Sequence, residues 1–276
     1  MQKLNTFLPN KNLINYQFKS NWKIILIYVV IWFAISSGMI ILRLEFLNHD
    51  HVITILMTGK NYYLSLANLV NQVTTSGLIF MSLVSMVLVN FTIGQEIRRG
   101  QITLWMASPL SRNKIIVSKI VFIWLANLLI MAPALVPILI YGGIASDAGT
   151  YFGYLVEQLA TMVLFLLMIS TLFTVIGLYF SSMGRLTGFV QSAILGYMFL
   201  LTILTNVLMS YGYTWGEYLD YINLRSLLPS VMSSNDKDTG FTNQGWVFGS
   251  MAINIALMFG FTYLSCFNFK SKDLML

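Results

Sequence analysis

Six long apolar runs separated by shorter polar stretches set the pattern of the chain. They extend roughly from Trp22 to Leu42, Val73 to Ile93, Ile115 to Tyr141, Tyr154 to Phe180, Gly188 to Met209 and Trp246 to Phe267. Each approaches or exceeds the stretch of about 20 predominantly apolar residues that a helix needs to cross a hydrocarbon core, so each predicts a transmembrane helix. An even number of spans places both ends of the chain on one side.

The stretches between the runs carry patterns of their own. Residues 1–21 mix Leu, Ile, Tyr16 and Phe18 with Lys11 and Lys19. They predict an interfacial helix feeding the first span, with its lysines reaching the head groups, while residues 1–10 at least read as a poorly ordered tail. Between the fifth and sixth runs, Trp215, Tyr218, Leu219 and Ile222 follow i, i+3, i+4, i+7, and Tyr211, Tyr213 and Tyr221 crowd the same region. This predicts a short outer helix on or in the membrane surface, ended by Pro229 and the polar run 233–240. Pro133 and Pro137 predict a kink in the third span. Gly184-x-x-x-Gly188 and Gly245-x-x-x-Gly249 have close-packing spacing, though at span ends.

Composition strengthens the membrane reading. Hydrophobic residues make up 57% of the 276 and charged residues only 9%, where a soluble protein carries about 25% charge. A soluble fold of this size would lack the charge to cover its surface. No segment outside the runs is long enough for a core of its own, so residues 1–276 read as one all-α membrane domain. The small residues Ala34-Ile35-Ser36 loosely resemble a signal-peptide cleavage site, but they fall within the first run, which reads as a retained span.

The net charge of +6 is sorted rather than spread. If the termini are cytoplasmic, that face holds Lys3, Lys11, Lys19, Lys23, Arg98, Arg99, Arg112, Lys114, Lys119, Arg185, Lys270 and Lys272. The other face keeps Arg43, Lys60, Arg225 and Lys237, which completes the 16 cations. A three-to-one excess predicts cytoplasmic termini by the positive-inside rule. The basic residues then face anionic lipid, and a nucleic-acid partner is not needed to explain them.

Reactive chemistry is sparse. A single cysteine, Cys266, excludes an intramolecular disulfide and a cysteine-based metal cluster. His49 and His51 lie in the first outer loop without the spacing of a closed metal site and read as solvated. No phosphate-binding G-x-x-x-x-G-K-[ST] motif and no H-E-x-x-H motif occurs. Glu157, near the outer end of the fourth span, is the one ionisable residue read as buried in the bilayer, and it reads as an interfacial carboxylate. Ser65, Asn68, Gln72 and Thr75 recur at helical spacing on the outer half of span two. They either line a pathway or extend the helix into water.

The first inner loop, Gly94 to Lys119, reads GQEIRRGQITLWMASPLSRNKIIVSK and holds five of the cations. Residues 96–108 predict a short surface helix with Ile97, Leu104 and Trp105 on one side. Pro109 stops it, and Ser111 is placed to cap the helix of span three.

This loop resembles that of the permease subunits of type-2 ATP-binding-cassette (ABC) exporters. Their loop commonly reads E-x-x-x-G-T, an apolar stretch, P-[hydrophobic]-[ST]-R, then a Lys at the start of span three. Here Glu96, Gly100, Pro109-Leu110-Ser111-Arg112 and Lys119 stand at matching spacing, while Gln101 replaces the usual Thr and Ser118 a frequent Gly. The six-span arrangement extends the resemblance over the whole chain. It implies a coupling helix at residues 100–109, between spans two and three, flanked by Glu96, Arg98, Arg99, Ser111 and Arg112, with Leu104 and Trp105 in the docking element. It also implies two copies of a cytoplasmic ABC ATPase subunit, which would bind ATP and magnesium, and a second permease, identical or related. The chain itself would hold no cofactor and no catalytic residue. It would form the substrate pathway of an export system in a bacterial cell membrane. The competing readings are a stand-alone secondary transporter or channel and a non-transporting immunity or sensor protein.

Overall fold

The computed structural model describes residues 8–49, 77–101, 110–144, 148–180, 185–213, 215–229 and 244–271. Among them the regular structure is entirely helical, and six helices are long and apolar enough to cross a membrane. These are α1 (Lys11–His49), α2 (Gly77–Arg98), α3 (Arg112–Ile144), α4 (Ala148–Tyr179), α5 (Arg185–Ser210) and α7 (Gln244–Ser271). The short α6 (Gly216–Ile222) and a 3₁₀ turn (Leu224–Leu227) lie between α5 and α7.

The apolar runs become helices because only a helix satisfies its backbone internally where water is absent. Polar side chains inside them follow the same rule. In α4, Thr161, Thr171 and Thr174 donate to the carbonyls of Glu157, Leu167 and Ser170, four residues back.

The helices differ sharply in burial. In their most apolar stretches, 61% of α2 and 67% of α3 and α4 residues are buried, against 11% of α1 and α5 and 22% of α7. Thus α2, α3 and α4 supply most of the core, which includes Leu88, Ile93, Phe122, Phe165 and Phe173. By contrast, α1 contributes one narrow stripe, Leu13, Gln17, Ile25, Trp32 and Ser36. Trp32 stacks on Phe80 with ring centroids 5.2 Å apart.

Both described ends of the chain meet the first turns of α3 at one end of the bundle, termed the base. There the Asn10 amide donates to Ser118 Oγ at 2.7 Å, and Arg112 Nη1 donates to the Lys270 carbonyl at 3.3 Å. The opposite end is the top.

Several expectations are revised. Residues 11–21 are not a separate helix but the first turns of α1, which runs unbroken into the span. Span two, expected to stop at Ile93, continues to Arg98, so Glu96 and Ile97 belong to it and not to a surface helix. Pro133 and Pro137, the expected site of a kink, both lie inside α3, as that expectation requires. Gly188 meets nothing within 4 Å in this chain, whereas an added Cβ at Gly77 would lie 2.6 Å from the Trp32 ring and one at Gly177 3.1 Å from Val89 Cγ1.

The predicted short helix is present, with Tyr218, Tyr221 and Ile222 exposed. The chain then turns back along α5. Tyr197 Oη donates to the Ile222 carbonyl at 3.1 Å, and Asn223 Nδ2 donates to Thr202 Oγ1 at 3.0 Å and to the Met198 carbonyl at 3.3 Å. Met198 is roughly 18 Å below the end of α5 at 1.5 Å per residue. On the other side Asn254 Nδ2 of α7 donates to the Leu227 carbonyl at 2.9 Å. Ser65, Asn68, Gln72, Thr75 and His51 lie outside the described residues, and His49 is the last residue of α1.

Candidate functional site

A connected cluster of polar side chains lies at the base, around the last two turns of α2. Its geometry begins with a defect in the helix. Residues Asn90–Gly94 form a π turn, in which the Gln95 amide donates to the Asn90 carbonyl. A π turn adds one residue to the helix and so sets the following turn back by about 100°. After it, Gln95–Arg98 form a last α turn that points Glu96 into the protein.

Glu96 is held from two sides. Gln17 Nε2 of α1 donates to Glu96 Oε1 at 2.7 Å, and Lys119 of α3 forms an ion pair with Glu96 Oε2. Lys119 Nζ also donates to the Thr92 carbonyl at 2.7 Å, within the π turn. Asn21 Nδ2 donates to Gln17 Oε1 at 3.0 Å and orients that amide. Lys119 is completely buried, with 0% of its side chain exposed. A buried charge of this kind persists only when paired and hydrogen-bonded.

The same π turn is tied to a second pair of helices. Asn90 Nδ2 donates to Gln191 Oε1 of α5 at 3.0 Å, and Gln191 Nε2 donates to the Phe173 carbonyl of α4 at 3.0 Å. The last two turns of α2 are therefore joined by polar side chains to α1, α3 and α5, and through Gln191 to α4. Among the described residues no nucleophile and base converge there, and its amine and carboxylate are engaged with each other. Among the described residues no group of His, Cys, Asp and Glu side chains could hold a metal ion. What the arrangement does physically is fix the ends of three helices against one another.

The residues expected at a docking surface divide in this setting. Glu96 faces Lys119 and Gln17, so its side chain is not part of an outer flank. Arg98, Arg99 and Gly100 are exposed. Gly100 ends α2 at φ +69°, a left-handed conformation that glycine adopts without strain, and its amide donates to the Ile97 carbonyl at 3.1 Å. Ser111 caps α3, its Oγ accepting from the Lys114 amide at 3.4 Å. Arg112 reaches the last carbonyls of α7, where a cation complements the helix dipole. Leu104, Trp105 and Pro109 lie outside the described residues.

The reading of Glu157 as the one buried ionisable residue is corrected, because Glu96 and Lys119 form a buried pair at the base. Glu157 Oε2 is itself buried without a hydrogen-bond partner. Both members of the pair stood in the sequence as charged residues at the margins of apolar runs, which is the signal that could have found them. Gln17, Asn90 and Gln191 carried no such mark. No family model matches the chain, and no curated protein shows significant similarity to it.

Proposed function

We propose that the chain is the membrane-spanning permease subunit of an ATP-driven export system, with cytoplasmic termini and a docking element for a separate ABC ATPase between α2 and α3. The observation that carries this reading is the construction of the base. The chain leaves α2 at Gly100 and re-enters α3 at Ser111, and both helix ends are braced by the Gln17–Glu96–Lys119 network. A handle mounted in this way passes a push on residues 100–109 to three helices at once. A chain without a phosphate-binding loop can use ATP only through such a contact. In this reading Arg98 and Arg99 are the exposed cations beside the docking element, and Trp105 lies within it. A second permease covers the weakly buried faces of α1 and α5, where substrate passes.

The test is co-expression of the tagged chain with any ABC ATPase subunit encoded beside its gene. The ATPase is expected to co-purify, and Trp105→Ala or Arg99→Glu to reduce its recovery about tenfold while the permease keeps its thermal stability. Failure of any ATPase to co-purify, or undiminished recovery and ATP hydrolysis with both variants, would overturn the assignment. The buried ion pair favours a second reading, a proton-coupled transporter working alone, because such pairs mark proton paths in other membrane proteins. Uptake or efflux driven by a pH gradient in vesicles lacking ATP would select it.

A further inference from the structure

The element between α5 and α7 descends into the depth of the bundle. Exposed apolar side chains run up to Met209 on α5 and begin at Trp246 on α7, so the apolar belt of the bundle ends near these two residues at the top. Asn223 bonds to the Met198 carbonyl, roughly 16 Å below Met209 along α5. Leu227 accepts from Asn254, about 12 Å below Trp246 along α7. Against a hydrocarbon core of about 30 Å, residues 223–227 thus stand well inside the layer that α5 and α7 cross.

Two properties make this element unsuited to lipid. The helix α6 has only seven residues, and a helix leaves its first four amides and last four carbonyls without partners of its own. A 3₁₀ turn follows it directly. Irregular backbone at membrane depth occurs only where protein buries it or water reaches it. The seven residues also include Glu217 and Asp220, and carboxylates are costly in hydrocarbon. One side of the element is covered by this chain: a Cβ at Gly216 would lie 3.1 Å from Leu208 Cβ of α5, and Asn223 is buried. The other side is open, with Tyr218, Tyr221 and Ile222 exposed by 71%, 80% and 65%. We propose that this open side lines a water-filled cleft that enters the membrane from the top, alongside α5. Water in the cleft takes the amides and carbonyls that so short a helix does not pair, and it hydrates the two acidic residues. The cleft stands on this chain's own residues and requires no ATPase.

The experiment uses the full chain in lipid vesicles, in a Cys266→Ala background, carrying Tyr221→Cys or Ile222→Cys. Both positions are exposed, so neither change removes packing. A permanently cationic thiosulfonate, which does not enter lipid, is supplied on both faces of the vesicles, so the result does not depend on orientation. The reagent attacks a thiolate, and a thiol ionises only where water reaches it. Phe259→Cys is the control, a comparably exposed position on α7 about 20 Å below Trp246. Each variant is scaled to its own labelling in denaturant. Tyr221→Cys and Ile222→Cys are expected to react at least about a hundredfold faster than Phe259→Cys, because hydrocarbon suppresses ionisation of the control. Reaction at both positions no faster than at the control would place the face in lipid and overturn the proposal. Protection of both, with disulfide cross-linking to a second copy on oxidation, would assign the face to a protein contact and overturn it equally.

Discussion

Removing one partner from the Glu96–Lys119 pair tests the architecture of the base most directly. Lys119→Met leaves the Glu96 carboxylate inside the protein with the Gln17 amide, and Glu96→Leu leaves a wholly buried ammonium with the Thr92 carbonyl. Breaking a buried pair from one side costs about 3–5 kcal/mol, since the remaining charge stays desolvated. That corresponds to roughly a hundred- to several-thousand-fold in the folding equilibrium. The double variant behaves differently. Replacing both charges with apolar side chains of similar size is neutral or stabilising by about 1–4 kcal/mol, against which the stranded Gln17 amide costs about 1–3 kcal/mol. It is therefore expected within about 2 kcal/mol of the parent, although the two single changes sum to about 6–10 kcal/mol. The assay is equilibrium unfolding in mixed micelles, followed by tryptophan fluorescence, for all four corners of the cycle. Additive single and double changes, or a Lys119→Met variant within about 1 kcal/mol of the parent, would refute the reasoning.

Two further predictions concern packing and orientation. Gly177→Leu places a side chain against Val89 and Gln191 and is expected to destabilise the protein by about 1–3 kcal/mol through overpacking, whereas Gly188→Leu, with open space around it, is expected to be nearly neutral; thermal unfolding in detergent compares them, and equal effects would contradict the α2–α4 contact. In a Cys266→Ala background, which removes the single native thiol, Asp236→Cys is expected to react with a membrane-impermeant maleimide added to intact cells; reaction only after permeabilisation would reverse the proposed orientation.

The spans were legible because each is a continuous apolar run, and the physics of an apolar medium allows such a run few alternatives. Their ends were less so. Span two reads as ending at Ile93 because Gly94, Gln95 and Glu96 are polar, yet the helix continues, since Gln17 and Lys119 satisfy Glu96 from outside α2. A one-dimensional pattern does not show a partner that lies 79 or 23 residues away. The π turn was invisible for a related reason: nothing in Asn90-Phe91-Thr92-Ile93-Gly94 departs from an ordinary helical run, and the turn is recognised only by its bonds. Ser111 was legible as a cap because capping is local, involving residues three apart. The element between α5 and α7 shows both sides of this limit. Its helix follows from the spacing of Trp215, Tyr218, Leu219 and Ile222, but its return along α5 depends on Asn223 reaching Met198 and Thr202, which no spacing announces.

The buried pair also sets an alignment. Sliding α3 against α2 by one residue would turn Lys119 about 100° away from Glu96 and leave two buried charges apart. An apolar seam alone tolerates such a slip far better, so two charges among many methyl groups hold these helices at a single register.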